Sequence, residues 1–192
     1  ANTYPSNKMK IKYPSRNGLD MYNDNENMLK IQNEFDFVKM FELMNKDPYF
    51  ASKSMTYYLV NDIDLKNIPT HLYSYNDFFS ATFTGKTEYA GSLTLKNGNN
   101  ATTPTIYNAT IKNSVAHDGF DCYGVFPLLS GTISNVNFYN STTISDFDLG
   151  TKSLTKSIGI VSGYVEDGTI QNVNVYSNIE LNSSNSKFGR YI

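Results

Sequence analysis

The side chains best equipped for chemistry in this chain are carboxylates and one histidine. His117 and Asp118 are adjacent and Asp121 follows closely, in the segment HDGFD. One imidazole and two carboxylates ligate a metal when a further group joins them. Paired carboxylates also carry the acid/base work of glycoside hydrolysis. The other histidine, His71, is remote in sequence, and no Lys or Arg stands beside the segment as a lyase would want for proton abstraction. Three more acidic pairs occur: Asp62 and Asp64 in NDIDL, Asp146 and Asp148 in SDFDL, and Glu166 with Asp167 before Gly168. Turn and edge duties suffice for the first, a solvated loop for the second and an ordinary turn for the third. The sequence holds no nucleophile elbow, no phosphate-binding glycine loop and no zinc-helix signature, so no catalytic residue, metal site or cofactor is assigned. The single cysteine, Cys122, excludes an intrachain disulfide and a cysteine metal site, and in DCYGVF it reads as a small buried hydrophobe.

Tyrosine offers a different chemistry. The 15 tyrosines and 12 phenylalanines exceed what a slim core needs. Tyr73, Tyr75, Tyr107, Tyr139 and Tyr176 all stand in polar runs. Tyr139 and Tyr176 occupy the same place in two near-copies, GTISNVNFYN from Gly131 and GTIQNVNVYS from Gly168. Stacked on one face, they would bind sugar rings or protein, or simply brace a sheet. The candidate ligand-binding residues are therefore Tyr139, Tyr176, His117, Asp118 and Asp121.

The elements that must position these residues divide the chain in two. Residues 1–31 are polar and read as an arm or lead-in, and 32–192 as one domain, expected to be a piece of a longer chain. In NEFDFVKMFELMNKDP, Phe37, Val38, Phe41 and Met44 share a helical face with Met40 beside them. Asn33 with Asp36 offers an N-cap and Pro48 a stop. From Met55 onward come short apolar stretches separated by Gly, Asn, Asp and Ser, which is an all-β pattern. A net charge of −2 with 18% charged residues gives no basic surface for nucleic acid, and no apolar run is long enough to span a membrane.

Three segments share one grammar: TIYNATI, TISNVNF and TIQNVNV. Ile106, Asn108, Ala109 and Ile111 align with Ile133, Asn135, Val136 and Phe138, and these with Ile170, Asn172, Val173 and Val175. Apolar spacing of three, then two, breaks alternation only at the Asn. A strand that keeps its apolar residues inward on both sides of a bend needs that break. Asn tolerates the left-handed backbone such a bend requires. Strand, Asn bend, strand, repeated, is what a parallel β-solenoid coil requires, with Asn108, Asn135 and Asn172 stacked as an amide ladder. An antiparallel sandwich with Asn at turns is the alternative. In the solenoid reading the helix covers the N-terminal end, and polar insertions at 113–121 and 145–157 protrude as loops. The C-terminal end is then left for a continuation of the chain or an oligomer partner.

YYLVNDIDL at 57–65, SATFTGKTEYAGSLTL, YGVFPLLSGTISNVNF and SIGIVSGYVEDGTIQNVNV resemble, in that order, successive elements of bacterial surface proteins carrying GLUG repeats. Pro127 stands where a second glycine is usual, a residue is added between Gly159 and Gly163, and Phe83-Thr84-Gly85-Lys86-Thr87 lacks the usual Asp. The resemblance implies a right-handed parallel β-helix with an N-terminal capping helix. It also implies an extracellular place on the bacterial cell surface and an adhesion or scaffold role toward a host-surface protein or glycan. A β-helix polysaccharide lyase or hydrolase, and a phage or viral tail or surface protein, are the alternatives.

Overall fold

The computed structural model describes residues 18–86, 103–147 and 154–183. It is mainly β. The strands are β1 (Met21–Tyr22), β2 (Asn25–Ile31), β3 (Thr56–Leu59), β4 (Ile63–Asp64), β5 (Phe78–Phe79), β6 (Thr82–Gly85), β7 (Thr105–Tyr107) and β8 (Thr110–Ile111). They continue as β9 (Val115–His117), β10 (Phe120–Tyr123), β11 (Leu128–Leu129), β12 (Thr132–Phe147), β13 (Thr155–Ile158), β14 (Tyr164–Val165) and β15 (Thr169–Ser183). One α-helix, α1 (Glu34–Lys46), lies among the described residues.

The register of the parallel pairs explains the core. Met28, Thr56, Thr82, Thr132 and Thr169 form one row across β2, β3, β6, β12 and β15. The next residue on each strand turns inward: Leu29, Tyr57, Phe83 and Ile133 are wholly buried, and Ile170 ends the row exposed. A second inward row runs Ile63, Ile106, Phe138 and Val175 across β4, β7, β12 and β15. Phe79, Leu129 and Val165 make a third, on β5, β11 and β14. Stacking like on like lets each strand bury its apolar side against the next, worth about 1.5–3 kcal/mol per large side chain. The first and third rows meet in an aromatic cluster, with Phe126 centred 4.5 Å from Phe79 and 5.6 Å from Phe83.

Helix α1 closes this cluster from one side. Phe37 packs edge-on to Phe83 at 5.9 Å and Phe41 stacks on Phe126 at 5.9 Å. Phe37, Met40, Phe41 and Met44 are buried as the spacing predicts; Leu43 joins them and Val38 is half-buried. Asn33 is the N-cap, its Oδ1 accepting the Asp36 N–H at 2.9 Å. The Asp36 carboxylate reaches back one residue further than a capping box does, accepting the Gln32 N–H at 2.8 Å.

The reading of 1–31 as a polar lead-in is corrected for its described part. Strand β2 pairs in parallel with β3, and Leu19, Leu29 and Ile31 are wholly buried. The polar NDNEN run contains a hairpin turn: Asn23 and Asp24 have φ of 53° and 55°, and β1 folds antiparallel onto β2. Two successive positive φ values match the twist of the flanking strands, so the turn residues specify the hairpin. The helix therefore follows the first stacked strand rather than preceding it, and β1 covers that strand's outer edge.

Candidate functional site

Tyr139 lies beside Tyr176 on the outer face, in register between β12 and β15, with ring centroids 6.1 Å apart. Tyr107 extends the row from the other side at 5.7 Å, edge-on. Tyr107 is nearly buried, Tyr139 half-buried and Tyr176 about half exposed. Burial, and after it the charge of Asp62, raises the Tyr107 pKa, so its phenol stays protonated at neutral pH. Tyr73 and Tyr75 are not part of any exposed row: both are core residues. The Tyr73 hydroxyl donates to the Thr110 carbonyl and accepts the Thr110 N–H at 3.1 Å.

Next to the tyrosines runs a polar edge of left-handed asparagines. Asn108, Asn135, Asn140 and Asn172 have φ between 53° and 60°. Ile106 and Ala109 are both buried around the first, as are Ile133 and Val136 around the second. One left-handed residue thus keeps apolar side chains inward on both sides of the bend. The ladder, however, is two ladders. Asn172 Nδ2 donates to Asn135 Oδ1 at 2.7 Å, and Asn135 Nδ2 to Thr84 Oγ1 at 3.3 Å. Asn140 Nδ2 donates to Asn108 Oδ1 at 2.6 Å, and Asn108 Nδ2 to Asp64 Oδ1 at 2.8 Å.

Asn108 therefore stacks on Asn140, and the alignment of TIYNATI with TISNVNF is corrected. Ile106 faces Phe138, not Ile133. The place beneath Thr132–Ser134 is taken by Thr82–Thr84, fifty residues earlier. Strand β12 turns two corners, at Asn135 and Asn140, both left-handed, but the inward positions after the second are the polar Ser141 and Thr143. The second pairing was read in the right register: Ile133 faces Ile170, Phe138 faces Val175 and Tyr139 faces Tyr176.

His117, Asp118 and Asp121 do not converge. The segment read as a protruding loop is a tight hairpin of β9 and β10, turned by Asp118 (φ 50°) and Gly119 (φ 84°). Asp-Gly is the residue pair that such a turn favours. The His117 ring sits edge-on between Phe78 at 5.0 Å and Tyr164 at 4.8 Å. Asp118 accepts the Tyr164 hydroxyl at 3.3 Å. Asp121 points elsewhere, into an ion pair with Lys156 at 2.7 Å. The sequence reading found no cation near HDGFD because Lys156 is 35 residues away and arrives only through the parallel pairing of β10 with β13. Among the described residues no three His, Cys, Asp or Glu side chains group as metal ligands would.

Two of the remaining carboxylates have structural partners. Asp62 accepts the Thr105 N–H at 2.8 Å, and Asp64 accepts the Lys66 N–H besides its ladder bond. Asp167 has a φ of 58° in the turn before Gly168. Asp146 lies in β12 opposite Asn182, and Asp148 falls outside the described residues. Cys122 is wholly buried, and burial raises its pKa, with the Asp121 charge adding to the effect. No described helix is long and apolar enough to cross a membrane. No family model, curated protein or solved structure matches the chain.

Proposed function

We propose that this chain is a non-catalytic adhesion or scaffold module of an extracellular bacterial surface protein, built as a right-handed parallel β-helix whose N-terminal end is closed by α1 and β1. The observation that carries the reading is the five-strand row from Met28 to Thr169, parallel at each step and each step later in sequence. Parallel crossovers are right-handed in nearly all proteins, which gives the coil its hand. Order of motifs supports the surface-protein setting: the resemblance to GLUG-repeat proteins runs through NDIDL, the Phe83–Gly85 element and the two Gly-Thr-Ile copies, and these are the stretches that stack. The ligand surface on this reading is the pair Tyr139 and Tyr176, with aromatic rings beside the amide groups of the asparagine edge.

A glycan-array screen with and without Ca²⁺, with every bound sugar checked for cleavage, tests the proposal. Binding without cleavage, lost in Tyr139→Ala and Tyr176→Ala, is the expected result. Cleavage of a bound sugar would overturn it, and binding indifferent to both substitutions would remove the tyrosine row from the site.

A further inference from the structure

The tyrosines of HLYSYND take no part in the outer row, and they build a cleft elsewhere on the coil. The Tyr73 hydroxyl holds both backbone groups of Thr110, accepting its N–H and donating to its carbonyl. That clamp fixes the 70–76 segment against β8. Between them lies a cleft whose lining includes Thr70, Tyr73, Tyr75, Asn76, Lys112 and Asn113. Its interior of about 20 Å³ has room for one small polar group. Tyr75 is only 7% exposed, yet its hydroxyl makes no hydrogen bond among the described residues. Nor is that hydroxyl sealed inside the core, as the Asn137 amide and the Ser141 and Ser145 hydroxyls are. Burial, and after it the charge of Asp77, raises the Tyr75 pKa, so the phenol keeps its proton at neutral pH. A nearly buried hydroxyl without a partner in the chain is a donor available to whatever enters the cleft.

A wider groove opens beside it. Ile111 and Thr143 turn inward and are buried, so Thr110, Lys112 and Thr142 turn out. Lys66, after the buried Leu65, is exposed in the same way. Thr110 and Thr142 stand in register between β8 and β12. With Lys66, Asn108 and Asn140 they line about 500 Å³ of open space, a volume suited to a small ligand. Thr110 belongs to both linings, so groove and cleft adjoin there. Among the described residues no Asp or Glu lines either one, although the chain carries a net charge of −2. The neighbouring Asp64 accepts from Asn108 Nδ2 and the Lys66 N–H, and Asp77 accepts the Phe78 N–H. Neither Lys66 nor Lys112 has an ion pair among the described residues.

We propose that this groove and cleft bind an acidic saccharide. Lys66 and Lys112 hold its carboxylate or sulfate, the sugar lies along Thr110 and Thr142, and one sugar hydroxyl enters the cleft to accept from Tyr75. Hydroxyls, amides and ammonium groups with little apolar surface suit a polyhydroxylated anion; a peptide's apolar side chains would find no pocket here. The site stands apart from the tyrosine pair, because Tyr139 precedes the Asn140 corner and Thr142 follows it. The inference therefore goes beyond the tyrosine reading and does not depend on it.

The probes are sialyllactose, trigalacturonate and a chondroitin sulfate tetrasaccharide, with lactose and maltotriose as neutral controls. Each is titrated into the isotope-labelled chain and followed by backbone NMR, which gives affinity and location together. Saturable binding of an acidic probe, neutral sugars weaker by about tenfold or more, and shifts centred on Lys66, Thr110, Lys112 and Thr142 are expected. The acidic probe that binds tells a carboxylate from a sulfate. Lys66→Gln and Lys112→Gln should each weaken binding by about fivefold or more. Tyr75→Phe, which keeps the ring and its packing, should weaken it by about threefold or more, and Tyr139→Ala should leave it unchanged. Silence of every acidic probe at millimolar concentration, neutral sugars binding equally well, shifts away from these residues, or affinity unmoved by the lysine and Tyr75 substitutions would each overturn the proposal. An acidic sugar lost in Tyr139→Ala but kept in Lys112→Gln would also overturn it while supporting the tyrosine pair, so the two readings fail separately.

Discussion

Replacing Asn108 by Asp changes one NH₂ to an oxygen at the centre of the first ladder. In the native chain Asn108 Nδ2 donates to the Asp64 carboxylate at 2.8 Å and Asn108 Oδ1 accepts from Asn140 at 2.6 Å. The new carboxylate still accepts from Asn140 and still tolerates the φ of 60°. Only the contact with Asp64 fails. A hydrogen bond to a charged acceptor contributes about 1.5–3 kcal/mol. Two carboxylates at about 4 Å repel by about 1 kcal/mol in water and by up to about 4 kcal/mol at a protein surface. Asp64 is exposed and Asn108 half-buried, so the low ends apply and the loss should be about 2–3 kcal/mol. For a chain of this size that lowers Tm by roughly 4–12 °C. Repulsion raises the folded-state pKa of one carboxyl above its unfolded value. The deficit should therefore be smallest below about pH 4 and grow as pH rises through the folded value. The decisive variant is the exchange Asp64→Asn with Asn108→Asp, which restores a donor facing an acceptor and should recover at least half the loss. Thermal and urea unfolding of the four proteins of this cycle supply the measurement. If N108D unfolds within about 0.5 kcal/mol of the native chain, or the double variant is no better than N108D, the bond from Asn108 to Asp64 is not a stabilising contact.

Gly85→Ala should be among the most damaging single changes, because the added Cβ would stand 1.9 Å from the Asn135 carbonyl oxygen and 2.7 Å from Pro104; a loss of about 1–3 kcal/mol or more in urea unfolding is expected, and an unchanged midpoint would contradict the stacking of β6 under β12. Cys122, buried and with its thiol pKa raised, should resist a disulfide reagent at pH 8 in the native chain and react at once in denaturant; quick labelling of the folded protein would show that β10 is open. Lys156→Met removes the partner of Asp121, a largely buried contact with 11% and 19% of the two side chains exposed, and should cost about 1–3 kcal/mol at pH 7, with Asp121→Asn in the same background recovering part of it; a neutral Lys156→Met would mean the pair is only incidental.

The local grammar of the chain was legible in its residues. Apolar spacing from Phe37 to Met44 gave the helix, and Asn33 its start. The three-then-two spacing around Asn108, Asn135 and Asn172 gave the left-handed bends, because only that backbone keeps apolar neighbours inward on both sides. The near-identity of Gly131–Asn140 and Gly168–Ser177 gave one strand pairing in its true register. Two hairpins went unread although Asn23-Asp24 and Asp118-Gly119 carry the turn chemistry in plain sight; their flanking strands are short and one of them is polar, so alternation gave no support.

What the residues did not settle is which bend stacks on which. Asn108 shares its apolar spacing with Asn135, whereas the Asn140 corner it stacks on is followed by the polar Ser141 and Thr143 and carries no such spacing. The choice falls to Asn140 because Thr82–Thr84 already lies under Thr132–Ser134, a contact made across fifty residues. The same holds for Lys156 beside Asp121, and for Tyr73 and Tyr75, whose polar surroundings in sequence are not their surroundings in space. Ser141, Thr143 and Ser145 face inward although no hydrophobic pattern would place them there, since parity after the Asn140 bend leaves them no other side. Bend, spacing and capping are short-range sterics and hydrogen bonding, written in adjacent residues; stacking order is a competition among distant strands for one edge, and only the folded chain decides it.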